Sequence, residues 1–382
     1  MINGSLSAEL LVVGAGHAAG VFARSARDFG YSGSIVLVGQ ENHLPYERPA
    51  LSKEVLRDPA YVHPLILNAE QWNDLCVEFV LGKQVVSVDE TTRSARLADG
   101  TSIMWERLVI ATGARPRRLK GPPHAARHVI RTIDDALAIR TRLQQRPDPS
   151  VVIVGAGPIG LEAAASLRPF AKSITIIEAA DQVMGRVVPL GLSEEIARVH
   201  RENGVILLLK VTVAAIFDRG DKLEIALSDG KSISADLLIE GIGVMPEAPL
   251  MNIPSLASER GVIVDDHYST AHPSIFAIGD VACPPMGRQE TWAHAESSGR
   301  AAARSILGLA PEARPIPSFW SDQFSRIQVA GELAGSTETG RHGEAYLFHK
   351  EGVIVAVSAM GASKDFAAAR RLIGKPLHAR AV

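Results

Sequence analysis

Glu9–Ala19 reads ELLVVGAGHAA, and Ser150–Gly160 reads SVVIVGAGPIG. Each stretch is an apolar run that stops at Gly-x-Gly and continues into small and apolar residues, the pattern of a buried parallel strand turning sharply into a helix. In such a turn the first glycine (Gly14, Gly155) makes the bend. The second (Gly16, Gly157) lets a pyrophosphate approach the backbone at a helix start whose exposed amides favour anions. Ala19 and Gly160 hold the third place of the fingerprint. One such turn is a weak sign, since glycine turns follow many strands. Two in one chain, each with its strand and helix context, predict two dinucleotide sites.

The same grammar extends past the turns. Ala18–Phe29 predicts a helix followed by the strand Ser34–Val38, and Ile159–Leu167 predicts a helix followed by Ser173–Ile177. Each copy then has a stretch that alternates like antiparallel strands, Val77–Ile103 and Val205–Ile233, with an Asp-Gly turn at Asp99-Gly100 or Asp229-Gly230. Apolar strands next stop at glycine, Leu108–Gly113 and Leu237–Gly243, ahead of proline-rich linkers at 115–123 and 246–249. Gly261–Asp280 reads as strand, turn and strand ending in Gly-Asp, and the helix Ala293–Leu307 after it is assigned back to the first sheet. Beyond Pro311–Pro317, the segments Arg326–Leu333, Glu344–His349 and Val353–Ala359 read as a small antiparallel sheet. Ser363 is expected to cap a closing helix, Lys364–Ile373. The expected fold class is therefore α/β: two Rossmann-like, three-layer ββα dinucleotide-binding domains and a small α+β C-terminal domain. The expected boundaries are 1–117 with 245–316, 118–244, and 317–382.

Composition narrows the function by exclusion. With 382 residues, 46% hydrophobic, 21% charged and a formal net charge of -2, the chain has neither the low hydrophobicity of disorder nor a nucleic-acid footprint. Met1–Leu11 carries no basic leader, and no stretch approaches the roughly 18 apolar residues of a membrane span. A cytoplasmic protein without membrane attachment is the expectation, as monomer or homodimer. Cys76 and Cys283 are the only cysteines, too few to ligate an iron–sulfur cluster and too far apart for a dithiol motif. Cys76 is expected in the core. The twelve histidines form no metal-ligand motif, so no metal is expected.

Several further stretches carry a resemblance: Pro45–Lys53 (PYERPALSK), Ala111–Pro116 (ATGARP), Ala277–Asp280 (AIGD), Glu290–Glu296 (ETWAHAE) and Phe319–Asp322 (FWSD). Together with the fingerprints they resemble the FAD-dependent, NADH-linked ferredoxin reductases of bacterial oxygenase systems, within the glutathione-reductase-like superfamily. The likeness covers essentially the whole chain. It implies that Gly14, Gly16 and Ala18 lie at the FAD pyrophosphate, Arg48 and Lys53 near the flavin, and Val85 at the adenine. It also implies FAD contacts from Ala111, Thr112, Gly113, Arg131 and Asp280, the last through the ribityl chain. Trp292 would lie beside the ring, where the following helix points its positive end at the flavin carbonyl. The family places an acid after the second strand for the adenosine ribose; here Gln40 stands in that place with Glu41 next to it, and either could serve. The glutamate matching Glu162 pairs in the superfamily with the lysine matching Lys53, so these two are the expected catalytic pair, with the ammonium favouring the reduced anion.

Gly155, Gly157, Ile159, Gly160 and Gly243 are the expected NAD contacts. Glu178 ends its strand 21 residues after Gly157, where a carboxylate can accept from both ribose hydroxyls of NAD. Ala179, Ala180 and Asp181 offer no cation for a 2'-phosphate, which favours NADH; Arg186 is the residue nearby that could upset this choice. The segment Ala50–Leu56 lacks the cysteine pair of the fold's disulfide reductases, so dithiol chemistry is excluded. Cys283, His17 and His294 are read as structural. The resemblance implies an iron–sulfur ferredoxin as electron acceptor, with an oxygenase downstream in aromatic-hydrocarbon catabolism. Arg115, Arg117, Arg118, Lys120, Arg300 and Arg304 are candidates for steering it. The rivals are an NADH oxidoreductase acting on quinone or dioxygen, and a redox sensor like apoptosis-inducing factor.

Overall fold

A computed structural model describes residues 6–247 and 255–377. The described residues form two compact units. One gathers the residues up to Arg48, His63–Arg115 and Val244–Pro315. The other gathers Pro49–Val62, Pro116–Gly243 and the chain from Ile316 onward. This contact-based division joins the segment 49–62 and the C-terminal sheet to the second unit. The three-part division expected above is finer and remains a proposal.

In the first unit, strands Leu6–Val13, Ile35–Val38 and Val77–Val80 run parallel on one side, and Ser102–Ile110 runs parallel to the first on the other. Ile275–Ala277 adds a further parallel strand to the end of Ser102–Ile110. Leu10, Leu11 and Val12 have no exposed surface, as expected of a strand covered on both faces. Val85–Asp89 and Ser94–Leu97 extend the sheet as an antiparallel meander. The helices His17–Asp28 and Trp292–Ile306 pack tightly on each other, because Gly299 lets them approach: a Cβ there would lie 2.8 Å from the Ala18 carbonyl oxygen.

The second unit repeats the parallel sheet, in the order Val205–Leu209, Ser173–Glu178, Ser150–Val154, Leu237–Glu240 and Arg127–His128. Its meander, Val213–Arg219, Lys222–Leu227 and Ser232–Ala235, forms a separate antiparallel sheet over Ile216, Leu223 and Ile225. A five-stranded antiparallel sheet closes the chain, in the order Ser318–Asp322, Arg326–Gly331, Val353–Met360, Ala345–Lys350 and Thr337–His342. The helix Ser363–Arg370 buries Phe366 and Ala369 against it. Both Asp-Gly turns form, with Gly100 at φ +90° and Gly230 at φ +84°.

Four readings are corrected. Val77–Val80 and Val205–Leu209, read as the start of antiparallel stretches, instead complete the parallel sheets; alternation along a strand does not encode its partner's direction. Ser363 is the first helical residue rather than the cap, a place held by Ala362, so its hydroxyl makes no capping bond. Cys76 is exposed and itself left-handed, at φ +50°, between a helix and a strand. Ser318–Asp322, read only as a motif, is a strand. Of the linker 246–249, residues 248 and 249 lie outside the described residues.

One buried ion pair ties the linker to the sheet. Glu240, at the end of its strand and 2% exposed, accepts from Arg127 Nε at 3.0 Å and from the Leu119 amide at 2.6 Å, with Arg118 at 3.5 Å. Arg127 also donates to the Leu119 and Pro122 carbonyls. Replacing Glu240 by Ala leaves the largely buried Arg127 guanidinium unpaired, and a loss of about 3–5 kcal/mol is expected. Urea unfolding of the variant measures it; a loss below about 1 kcal/mol would show that Arg127 finds water instead.

Candidate functional site

In the first unit, Gly14 adopts φ +115°, and a Cβ there would lie 2.1 Å from the Ala111 carbonyl oxygen. That contact demands glycine and sets the helix start against the end of the neighbouring strand. Gly16, the N-cap, makes no side-chain cap. A Cβ on it would meet only Arg48 Nη2, at 3.6 Å, so the space above the first helical amides is open. These amides and the guanidinium suit an anion such as a pyrophosphate. The Ala18 Cβ lies 3.0 Å from the Cβ position of Gly279. Ala111 is buried at the strand end, Thr112 Oγ1 donates to the Glu247 carbonyl at 2.7 Å, and Gly113 turns at φ +71°. Val85 is buried at the start of the meander.

Asp280 follows the left-handed Gly279, whose amide donates to Ser298 Oγ at 3.0 Å on the helix Trp292–Ile306. Thr291 caps that helix, accepting from the His294 amide, and so sets Trp292 at its first position, 5.4 Å from the His17 ring. His17 Nε2 is 2.8 Å from Glu296 Oε1. His294 is 4% exposed, and neither of its ring nitrogens has a protein partner. Burial lowers its pKa, and Asp280 only partly opposes this. A buried, unpartnered imidazole next to Asp280 fits a polar group bound here.

The two candidates for the first ribose differ in engagement. Glu41 accepts from Tyr46 Oη and from Arg48 Nη2, each at 2.6 Å, whereas Gln40 is exposed. The sheet register adds a reason. Val13 pairs with Val38 as Val154 pairs with Ile177, so the place level with Glu178 is Gly39. A Cβ on Gly39 would lie 2.7 Å from that of Ala15, which displaces any ribose-binding side chain to a later residue.

In the second unit, Gly155 repeats the close approach, its Cβ position lying 2.3 Å from the Gly241 carbonyl oxygen. Gly160 likewise would place a Cβ 2.1 Å from the Gly155 oxygen, while Gly157 has nothing within 4 Å. Pro158 begins the uncapped helix, and Ile159 is exposed beside it. Glu178 accepts from the Ala156 amide at 2.7 Å through one oxygen and from the Ala180 amide at 2.8 Å through the other. Each oxygen keeps a lone pair for a hydroxyl. Arg186 reaches toward Gly243, at 4.0 Å from its Cβ position. A residue missed by the sequence reading also arrives here through its backbone: the amide of exposed Lys210 donates to the Ala180 carbonyl at 2.9 Å. Only the pairing of Val205–Leu209 with Ser173–Glu178 brings it there.

The second unit also brings Lys53 to Glu162, as expected. Both are buried, and Lys53 Nζ lies 3.5 Å from Glu162 Oε1. Ser321 Oγ donates to that oxygen at 2.7 Å, and Ser52 Oγ donates to Oε2. Burial pushes the Glu162 pKa up, while Lys53 and the two hydroxyls pull it back. Asp322 Oδ2 lies 3.5 Å from Nζ on another side, a partner absent from the sequence reading, and the Trp320 ring centroid lies 5.8 Å away. Arg131 precedes Thr132, the cap of the helix Ile133–Gln145, and its amide donates to Asp135.

The basic residues proposed for steering are largely engaged. Arg300 is bidentate to Glu312 at 2.7 and 2.8 Å, Arg304 joins the same carboxylate, and both stack on Phe29. Arg115 pairs with Glu247. Arg117 and Lys120 are exposed. Among the described residues there is no group of three or more His, Cys, Asp or Glu that could hold a metal ion. Nor is any helix long and apolar enough to cross a membrane.

Comparison with known proteins places this geometry in a family. Residues 8–299 match the pyridine nucleotide-disulphide oxidoreductase profile, and residues 318–381 match the reductase C-terminal profile. The ferredoxin–NAD(+) reductase component of the p-cumate 2,3-dioxygenase system of Pseudomonas putida is 37% identical over 96% of this chain and 93% of its own. A ferredoxin–NAD(P)(+) reductase of Sphingomonas sp is 34% identical over 96% and 92%. Among solved structures, the ferredoxin reductase for the CYP199A2 system from Rhodopseudomonas palustris superposes with a TM-score of 0.88 at 31% identity, covering 98% and 97% of the two chains. The reductase in the covalent putidaredoxin reductase–putidaredoxin complex gives 0.90 at 27% identity, covering 97% and 93%. The chain thus belongs to the pyridine nucleotide-disulphide oxidoreductase family, among the ferredoxin–NAD(+) reductase components of oxygenase systems.

Proposed function

We propose that this oxidoreductase takes hydride from NADH with FAD as its resident cofactor and delivers electrons singly to a separate iron–sulfur ferredoxin, which feeds an oxygenase in the cytoplasm. The observation that carries the reading is the segment 49–62. Where disulfide reductases of this fold hold two cysteines, it presents a buried lysine paired with Glu162 and no sulfur. The relatives named for ferredoxin reduction in dioxygenase and cytochrome P450 systems support it along nearly the whole chain.

The first cradle, with Gly14, Gly16, Ala18 and Arg48, would hold FAD, joined by Ala111–Gly113, Val85, Asp280, Trp292 and Gln40 or Glu41, and Arg131 is the further contact that the family likeness implies. Bound flavin supplies the exchange between a two-electron donor and one-electron acceptors. The protein's part is to hold charge. Lys53, desolvated and clasped by Glu162, provides a fixed cation for the negative charge of the reduced state, and the helix starting at Trp292 adds its positive end.

The second cradle, with Gly155, Gly157, Ile159, Gly160 and Gly243, would hold NADH. Glu178 is locked by two backbone amides, so its remaining lone pairs are pre-aimed at ribose hydroxyls, and a 2'-phosphate would meet that carboxylate. Arg186 would temper the repulsion. Exposed Arg117 and Lys120 would steer an acidic ferredoxin, while Glu312 offsets one of the two positive charges of Arg300 and Arg304.

Spectra together with steady-state and stopped-flow kinetics test this. The purified protein should be yellow, should be reduced by NADH well ahead of NADPH, and should reduce a cytochrome only when a ferredoxin is added. Glu178→Ala should lower kcat/KM for NADH by about 10–100-fold, the worth of a charge-assisted hydrogen bond, and narrow the preference. Equal turnover with NADPH in the wild type would overturn the role of Glu178, and rapid oxygen consumption without ferredoxin would favour the oxidase. Lys53→Met should slow flavin reduction by NADH about tenfold or more in stopped flow. An unchanged rate would remove Lys53 from the chemistry.

A further inference from the structure

Lys53 carries one positive charge and faces two carboxylates. Glu162, on the helix Pro158–Leu167, is fully spoken for: Oε1 takes Lys53 and Ser321, and Oε2 takes Ser52. The direction of the Ser321 bond follows from its other neighbour. Gln323 Nε2 can only donate, and it reaches Ser321 Oγ at 3.1 Å, so the single serine proton is left for Glu162. Gln323 is steadied in turn by His200 Nε2, 2.8 Å from its carbonyl oxygen. Two hydroxyl donors and an ammonium therefore oppose the upward push that burial gives the Glu162 pKa.

Asp322 stands differently. Its side chain is 35% exposed, where the Lys53 side chain is 5% exposed, and it lies 3.5 Å from Nζ. Its other oxygen is 3.6 Å from Arg326 Nη1, on the adjacent strand. Lys53 and Arg326 thus balance Glu162 and Asp322, with the Trp320 ring against both cations at 5.8 and 5.9 Å. An ammonium this buried, held by one carboxylate that already serves two hydroxyls, gains from a second anion.

We propose that Asp322 is a positioning residue for Lys53: a second counterion, presented by the strand Ser318–Asp322 and shared with Arg326, that holds the ammonium charged and in place. For catalysis this rests on the reading of Lys53 given above; for the charge state of Lys53 it does not. The test is competitive acylation of Lys53 by acetic anhydride in the holoprotein across a pH series, read by mass spectrometry, since only the free amine reacts. Asp322→Asn should lower the pH midpoint of Lys53 labelling by about one unit, giving about tenfold more labelling on the acid side. Asp322→Glu should restore the wild-type profile. Arg326→Met, which leaves Asp322 to Lys53 alone, should move the midpoint the opposite way. A merely structural role would change the thermal midpoint without this paired, opposite shift. Superimposed profiles for Asp322→Asn and Arg326→Met would overturn the proposal, and if the Asn variant fails to fold, Arg326→Met alone decides it. Shifted labelling with an unchanged rate of flavin reduction would sustain the counterion and retire only the catalytic reading of Lys53.

Discussion

Twice in this chain a glycine is pressed against the last carbonyl of a neighbouring parallel strand, Gly14 on Ala111 and Gly155 on Gly241, at distances that leave no room for a Cβ. The remaining geometry hangs from these two contacts. Each brings the first turn of a helix to the carboxyl ends of its sheet, where open space lies over Gly16 and Gly157 and the helical amides lack side-chain caps. The strand registers Val13 to Ile110 and Val154 to Glu240 are the other half of the same constraint, because they set where the pressed carbonyl stands.

From this shared frame the two copies diverge through single residues. At the level where Glu178 locks onto the Ala156 amide, the first copy has Gly39, crowded by Ala15. One copy therefore ends its second strand on a preset carboxylate. The other moves its polar groups on to Gln40 and Glu41 and spends Glu41 on Tyr46 and Arg48. Two turns of the same shape thereby acquire different chemistry.

The cluster around Lys53 takes charge out of water. Burying an ammonium and a carboxylate is worthwhile only when their remaining donors and acceptors are met. Here Ser52, Ser321 and Asp322 meet them, drawn from the segment 49–62 and from the strand Ser318–Asp322, far apart in sequence. The C-terminal sheet thus does more than cover a surface: it delivers a hydroxyl and a carboxylate to a pair whose members lie on other elements. The arginines of the late helix show the reverse economy, with Glu312 and Phe29 absorbing charges that the sequence offers as a basic rim.

The amino-acid sequence by itself determined what depends on neighbours in the chain: the glycine turns, the helices after them, the Asp-Gly hairpins, the absence of a dithiol, and the acid at Glu178. The pairing of Lys53 with Glu162 was legible too, through motifs that recur in a known family. Only the tertiary structure decided what depends on residues brought together from afar. It set Val77–Val80 and Val205–Leu209 parallel, carried Lys210 beside Ala180, turned Cys76 outward and supplied Asp322 as a second partner for Lys53. The physical reason is common to these cases. A strand's pattern records which faces are buried but not which strand lies next to it, and a charge's partner is chosen by distance in space, which no local spacing records.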